Sequence, residues 1–208
     1  IFVGLYPFLR KSIKAQYNIV TPENCMKPEP IHPSENTYNF KTTDAMVDWC
    51  QKNGLKVWGH TLGWHSQTPA WFFQAVNPKT EEAQPARGPR MSFDPKAPRL
   101  SMDEMWARSI KGEMASKKVA LARLEKHIKT VVGRYKGRII GWDVFNESIA
   151  DGGDGSTENL RTFSWYKVVG PEVLTNAFKW AHQADPKAKL YYNDYNIEQG
   201  VVENKGKH

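Results

Sequence analysis

The stretch Arg138-Ile139-Ile140-Gly141-Trp142-Asp143-Val144-Phe145-Asn146-Glu147 runs from a basic segment through an apolar core into two polar residues. Just before it, over residues 117–135, Leu121, Leu124, Ile128, Val131 and Tyr135 recur at three- and four-residue steps, with Lys118, Glu125, Lys126 and Lys129 on the other side. That spacing predicts an amphipathic helix feeding a strand at 138–144. The same alternation recurs outward. Upstream, strands are expected at 1–3, 18–20 and 55–62 and helices at 9–16 and 43–52, the latter with Ala45, Met46, Trp49 and Cys50 as its stripe and Asn53-Gly54 as its stop. Downstream, a helix over 171–184, opened by Pro171 and closed before Asp185-Pro186, leads to a strand at 189–192. Strands alternating with helices imply right-handed crossovers and a parallel sheet, so the fold class is α/β with about five β/α units. Proline-rich residues 77–99 and the run Gly152 to Ser156 break the pattern. They are expected to be loops of a single domain spanning 1–208, with a long loop or insertion at about 77–114.

With 40% apolar and 25% charged residues in 208, the chain has enough apolar side chains for a sizeable core, which excludes a disordered, collagenous or coiled-coil protein. No apolar run nears the roughly 20 residues of a membrane span, and the start IFVGLYPFLRK has no charged leader with a long apolar stretch. Neither a membrane span nor a signal peptide is expected; a mature secreted chain would look the same. Cys25 and Cys50 cannot by themselves make a disulfide framework or a four-ligand metal site, and are expected to be free and partly buried. Lys and Arg number 29 against 22 Asp and Glu, a net +7, yet much of the excess lies between residues 111 and 138 on the polar side of a helix. A solvated helix face explains it better than a nucleic-acid partner. Eight Trp, eight Tyr and nine Phe suit a cleft in which flat rings stack on sugars.

Polar residues gather at four predicted strand ends: Thr21-Pro22-Glu23-Asn24 with Lys27, Gly59 to Gln67, Trp142 to Glu147, and Asn193-Asp194-Tyr195-Asn196. Parallel strands all present the same end, so in a closed barrel these four segments converge on one mouth. His60 and His65, five apart, face opposite ways on an extended strand and make a poor metal pair, whereas His60, Leu62 and Trp64 share a face. There is no G-x-S-x-G elbow, phosphate loop or dinucleotide fingerprint. Carboxylates and amides remain. Glu147 ends an apolar strand beside Asn146, where partial desolvation suits a carboxyl that donates a proton to a leaving group. Strict alternation would put the two on opposite sides, so a shared role requires the strand to break its geometry there.

TPENCMK (21–27), GHTLGWHSQTPAW (59–71), WDVFNE (142–147) and NDYN (193–196), with the longer run RYKGRIIGWDVFNES (134–148), together resemble glycoside hydrolase family 10, the endo-β-1,4-xylanases, in order and spacing over about residues 1–200. The resemblance implies a (β/α)8 TIM barrel, of which this chain supplies about the first five units, and hydrolysis of xylan with retention of configuration. Carried over by position, it implies Glu147 as general acid and base, Asn146 on the sugar 2-hydroxyl, and His60 and Trp64 around the sugar to be cleaved. Glu23, Asn24 and Lys27 would bind the next sugar, with Gln67 a further substrate-binding residue that also supports them. His65, Asp143, Asn193 and Asp194 would support them. Xylan or a xylo-oligosaccharide would be the partner, with no metal or cofactor. Action on a polymer that does not enter cells implies a secreted or cell-surface protein.

Three features depart from the family pattern. Pro28 stands where a tryptophan is usual, the 77–114 region is long, and no motif like ITELD, which carries the nucleophilic glutamate, occurs. Retaining hydrolysis needs two carboxyls about 5–5.5 Å apart. Glu147 supplies one; Glu23 and Glu198 are poor candidates for the other. The nucleophile and the remainder of the barrel are therefore expected from another chain or segment, in keeping with 208 residues against about 250 for a whole barrel. The competing expectation is a non-catalytic carbohydrate binder or an inactive truncated form.

Overall fold

The structure is a computed structural model and describes residues 7–75, 102–110, 112–150, 159–162 and 164–196. The strand expected at 1–3, the loops at 77–99 and 152–156, and Glu198 lie outside the described residues. In chain order the elements are α1 (Pro7–Gln16), β1 (Ile19–Val20), α2 (Pro28–Ile31), α3 (Lys41–Lys52), β2 (Lys56–Trp64), a 3₁₀ turn (Ala70–Phe73), α4 (Met102–Ser109), α5 (Lys117–Arg134), β3 (Gly141–Asn146), α6 (Trp165–Val168), α7 (Glu172–Ala184) and β4 (Lys189–Asn193). The strands form one parallel sheet in the order β1-β2-β3-β4, so each new strand adds to the same edge. That order, with a helical crossover between neighbours, is how a β/α barrel is laid down.

β3 is buried at all six positions, as a strand covered on both sides must be, which explains its near-continuous apolar sequence. Its large rings fit only because glycine faces them on the next strand. A Cβ at Gly59 would land in the Trp142 ring and one at Gly63 in the Phe145 ring, while a Cβ at Gly141 would strike the indole of Trp58. The rings and glycines of β2 and β3 thus interleave.

α5 starts at Ser116, whose hydroxyl accepts the Val119 N–H at 3.4 Å. It buries Leu124, Ile128, Val131 and, at its end, Tyr135 as the spacing predicts, with Lys118, Lys126 and Lys129 exposed. On α3 the buried residues are Thr43, Met46, Val47 and Cys50; Ala45, expected in that stripe, is exposed because the helix is rotated toward Val47. Both cysteines are free, and burial pushes the Cys50 thiol up to about 11. No described helix is long and apolar enough to cross a membrane.

The helix period did not reveal two polar side chains buried on α5. Arg123 pairs bidentately with Glu35 through Nε and Nη2, at 2.7 and 3.1 Å, and donates from Nη1 to the carbonyls of Trp71 and Gln74 at 2.8 and 2.6 Å. With its donors satisfied, the buried charge is tolerated. One turn on, His127 meets His32 of the α2 C-cap, Nδ1 to Nδ1 at 3.1 Å, between rings of Tyr38, Trp71 and Phe72. A contact between two like nitrogens requires one ring to donate and the other to accept; His32 Nε2 faces the Glu35 carbonyl at 3.1 Å and donates there, so its Nδ1 accepts from His127. Burial lowers both histidines, His32 to about 4, and proximity to His32 lowers His127 further. Lys126 disfavours and Glu35 favours the proton on His32.

The sign follows from linkage. The unfolded chain takes up protons near pH 6.5 and the folded pair does not, so the pair's contribution to stability is present above about pH 6.5 and is lost as the pH drops toward 4. Denaturant midpoints measured from pH 8 to 4.5 should fall steadily below about 6.5, and His32→Gln/His127→Gln should flatten that slope. An unchanged slope in the double variant would remove the pair as its cause.

Candidate functional site

The four polar strand ends do converge. They surround an open groove of about 840 Å³ lined by Glu23, Lys27, Trp58, His60, Asp143, Tyr191, Tyr192 and Asn193, among others. Lys27 caps α2 at its N-terminus, directly before Pro28, which is buried in the first turn of that helix. Its ammonium donates to Asn24 Oδ1 at 2.9 Å and Gln67 Oε1 at 2.7 Å and lies 4.7 Å from the centre of the Trp64 ring, which joins the β1 end to the β2 end. Burial lowers the Lys27 pKa, while the carboxylates of Glu23 and Glu147 act to raise it. Gln67 has φ +44, and its carbonyl accepts the Glu29 N–H at 2.9 Å.

On β2 the pairing with β3 slips between His60 and Gly63, and the His60–Thr61 peptide is cis. The slip corrects the expectation that His60, Leu62 and Trp64 share a face: His60 and Trp64 are half-buried at the open end, whereas Leu62 is fully buried in the core. His60 Nδ1 lies 2.9 Å from Asp143 Oδ2, and the Trp58 indole donates to Asp143 Oδ1 at 2.9 Å. The two carboxylate oxygens are thereby both occupied. A carboxylate only accepts, so the His60 ring nitrogen that faces it, Nδ1, carries a proton. His65 takes a different partner, its Nδ1 lying 3.1 Å from the Glu147 carbonyl.

At the end of β3, Glu147 has φ +50, so the extended backbone breaks between Asn146 and Glu147. The Trp64 indole donates to Glu147 Oε2 at 3.0 Å. Asn146 is buried, and its Oδ1 accepts from Asn193 Nδ2 at 2.5 Å, while the Glu147 N–H donates to the Asn193 carbonyl at 2.8 Å. Asp194 accepts the N–H groups of Ile149 and Tyr195 and the Tyr192 hydroxyl. Among the described residues no three His, Cys, Asp or Glu side chains gather as a metal ion would need.

Three participants escaped the reading of the sequence. Trp58 could have been found, since it stands two residues before His60 and alternation puts the two on one face. Tyr192, whose hydroxyl accepts the Ser148 N–H at 3.0 Å, lies inside a predicted strand with nothing to mark it as polar-facing. Arg161, whose Nε donates to the Glu147 carbonyl at 2.8 Å, had no sequence signal, because its place depends on how the chain returns after β3.

Residues 8–91 and 101–207 match the family described as Glycosyl hydrolase family 10. Endo-1,4-beta-xylanase A of Caldicellulosiruptor sp. (strain Rt8B.4) is 44% identical over 186 residues, which is 89% of this chain and 23% of that protein. Beta-1,4-xylanase of Dictyoglomus thermophilum is 40% identical over 193 residues, 93% of this chain and 43% of that protein. The crystal structure of xylanase XynB from Paenibacillus barcinonensis, complexed with a conduramine derivative, superposes with a TM-score of 0.70 at 39% identity, over 92% of this chain and 46% of that one. The chain thus spans less than half the length of each. Its parallel β/α succession is the N-terminal part of a (β/α)8 barrel, and the chain belongs to glycosyl hydrolase family 10.

Proposed function

We propose that this chain supplies the acid/base side of the active site of a retaining endo-β-1,4-xylanase. The observation that carries the reading is the Glu147 carboxyl, held by the Trp64 indole at 3.0 Å beside a groove lined by Lys27 and His60. In this reading Glu147 protonates the leaving oxygen while a carboxylate from a segment outside this chain attacks the anomeric carbon. Glu147 then takes a proton from the water that releases the sugar. Asn146 binds the 2-hydroxyl, His60 and Trp64 hold the sugar being cleaved, and Glu23, Asn24 and Lys27 hold the next, with Gln67 fixing Lys27. His65, Asp143, Asn193 and Asp194 hold these groups in place. Neutral sugars need many directed hydrogen bonds, and a site whose amides, ammonium and imidazole are already fixed by partners loses little entropy on binding them. On this reading the substrate is xylan, the remaining strands of the barrel complete the cleft, and the protein works outside the cell, where the polymer is.

The test uses the protein extended through the rest of the barrel. Glu147→Ala should lower kcat/KM on xylan by roughly 10²–10⁴-fold. The loss should shrink on aryl xylosides with good leaving groups, and added azide should partly restore turnover by replacing the water that needs a base. Unchanged xylan hydrolysis would sink the acid/base assignment. Tight xylo-oligosaccharide binding with no release of reducing ends from the intact protein would make the chain a binder and not an enzyme. Asp143→Asn cannot accept from both Trp58 and His60. It should cost about tenfold in kcat/KM, on the order of 1.5 kcal/mol for one hydrogen bond to a charged group.

A further inference from the structure

We infer that Arg161 is the positioning residue for Glu147, acting on its backbone and not on its carboxyl; the inference rests on the acid/base reading above. A non-glycine residue at φ +50 is held against a cost of about 1–3 kcal/mol and persists only where its surroundings over-determine it. Three hydrogen bonds do so at Glu147. Its N–H donates to Asn193, and its carbonyl accepts from Arg161 Nε at 2.8 Å and lies 3.1 Å from His65 Nδ1. Arg161 is 7% exposed, so its guanidinium bond to that carbonyl is charge-assisted and little weakened by water.

Arg161 is itself placed by a short clasp. Ile149 bridges Leu160 in antiparallel fashion, the Ala150 N–H donates to Asn159 O at 2.7 Å, and the Arg161 N–H donates to Ser148 O at 3.0 Å. Its far amino group donates to the Tyr195 hydroxyl at 3.2 Å, just beyond β4. One side chain therefore ties the peptide that leaves β3 to the segment that leaves β4. If the Glu147 peptide turns, its carboxyl swings away from Trp64, and a displacement of about 1 Å costs on the order of 10²-fold in rate.

In the full-length enzyme, Arg161→Met should lower kcat on xylan roughly 10–100-fold with KM within about twofold. The loss should shrink on aryl xylosides whose leaving groups need no proton, and free guanidinium should restore part of the rate in Arg161→Ala. Arg161→Lys keeps the buried charge but not the Nε donor, and should show the same kcat loss; it serves if Arg161→Met does not fold. A fall in kcat that is equal for all leaving groups and not rescued by guanidinium would make Arg161 merely structural and overturn the inference. Glu147→Gln is measured alongside. If it abolishes xylan turnover while the Arg161 variants keep kcat, the inference fails and the acid/base reading stands. If Glu147→Gln itself turns over normally, the acid/base reading fails and takes the inference with it.

Discussion

Side chains alternate along a strand, so two consecutive residues can serve one substrate only where the backbone leaves the extended region between them. At the end of β3 it does so at Glu147, and the site is arranged around that turn. The 2.8 Å bond from its N–H to Asn193 draws in β4, the Trp64 bond to its carboxyl draws in β2, and His65 and Arg161 converge on its carbonyl. Loosening the turn would dissolve the relation between Asn146 and Glu147 even if every side chain remained.

A second layer of partners does the orienting. Asp143 holds His60 and is itself fixed by Trp58; Asn24 and Gln67 hold Lys27; Asn193 holds Asn146. Because each polar group already has one bond inside the protein, its remaining donor or acceptor capacity has a defined direction before any ligand arrives. Under the proposed function this preorganisation suits a neutral ligand, which offers no charge to pull a loose site into shape. The cation–π contact of Lys27 on Trp64 belongs to the same logic, since it lets a buried ammonium sit against an apolar ring.

Much of the fold was legible because it rests on local period. Residues 117–135 announce α5 and the apolar run after them announces β3, and the β/α alternation alone predicts the parallel sheet. Position along the strands was legible too, which is why Glu23, His60, Asn146 and Asn193 could be expected at one mouth. What stayed hidden depends on partners far away in sequence. Arg123 looks like one more surface cation until Glu35, 88 residues earlier, is seen to neutralise it, and His127 looks solvated until His32 meets it. Leu62 was misplaced because alternation fails across the slip at His60 to Gly63, a feature of pairing with β3 that β2 cannot reveal by itself.

The interleaving of Gly59 with Trp142, Gly63 with Phe145 and Gly141 with Trp58 makes these six positions three units of inheritance and not six. A library that varies one residue at a time will find the glycines immutable, since any side chain there collides with a ring on the neighbouring strand. A library that shrinks the ring as the glycine grows opens routes at Gly59 and Gly63 that single steps close, whereas at Gly141 the Lys189 carbonyl also crowds a new Cβ; the Gly141 and Trp58 unit reaches Asp143 and, through it, His60. The packing of the sheet and the aim of the imidazole are then inherited together.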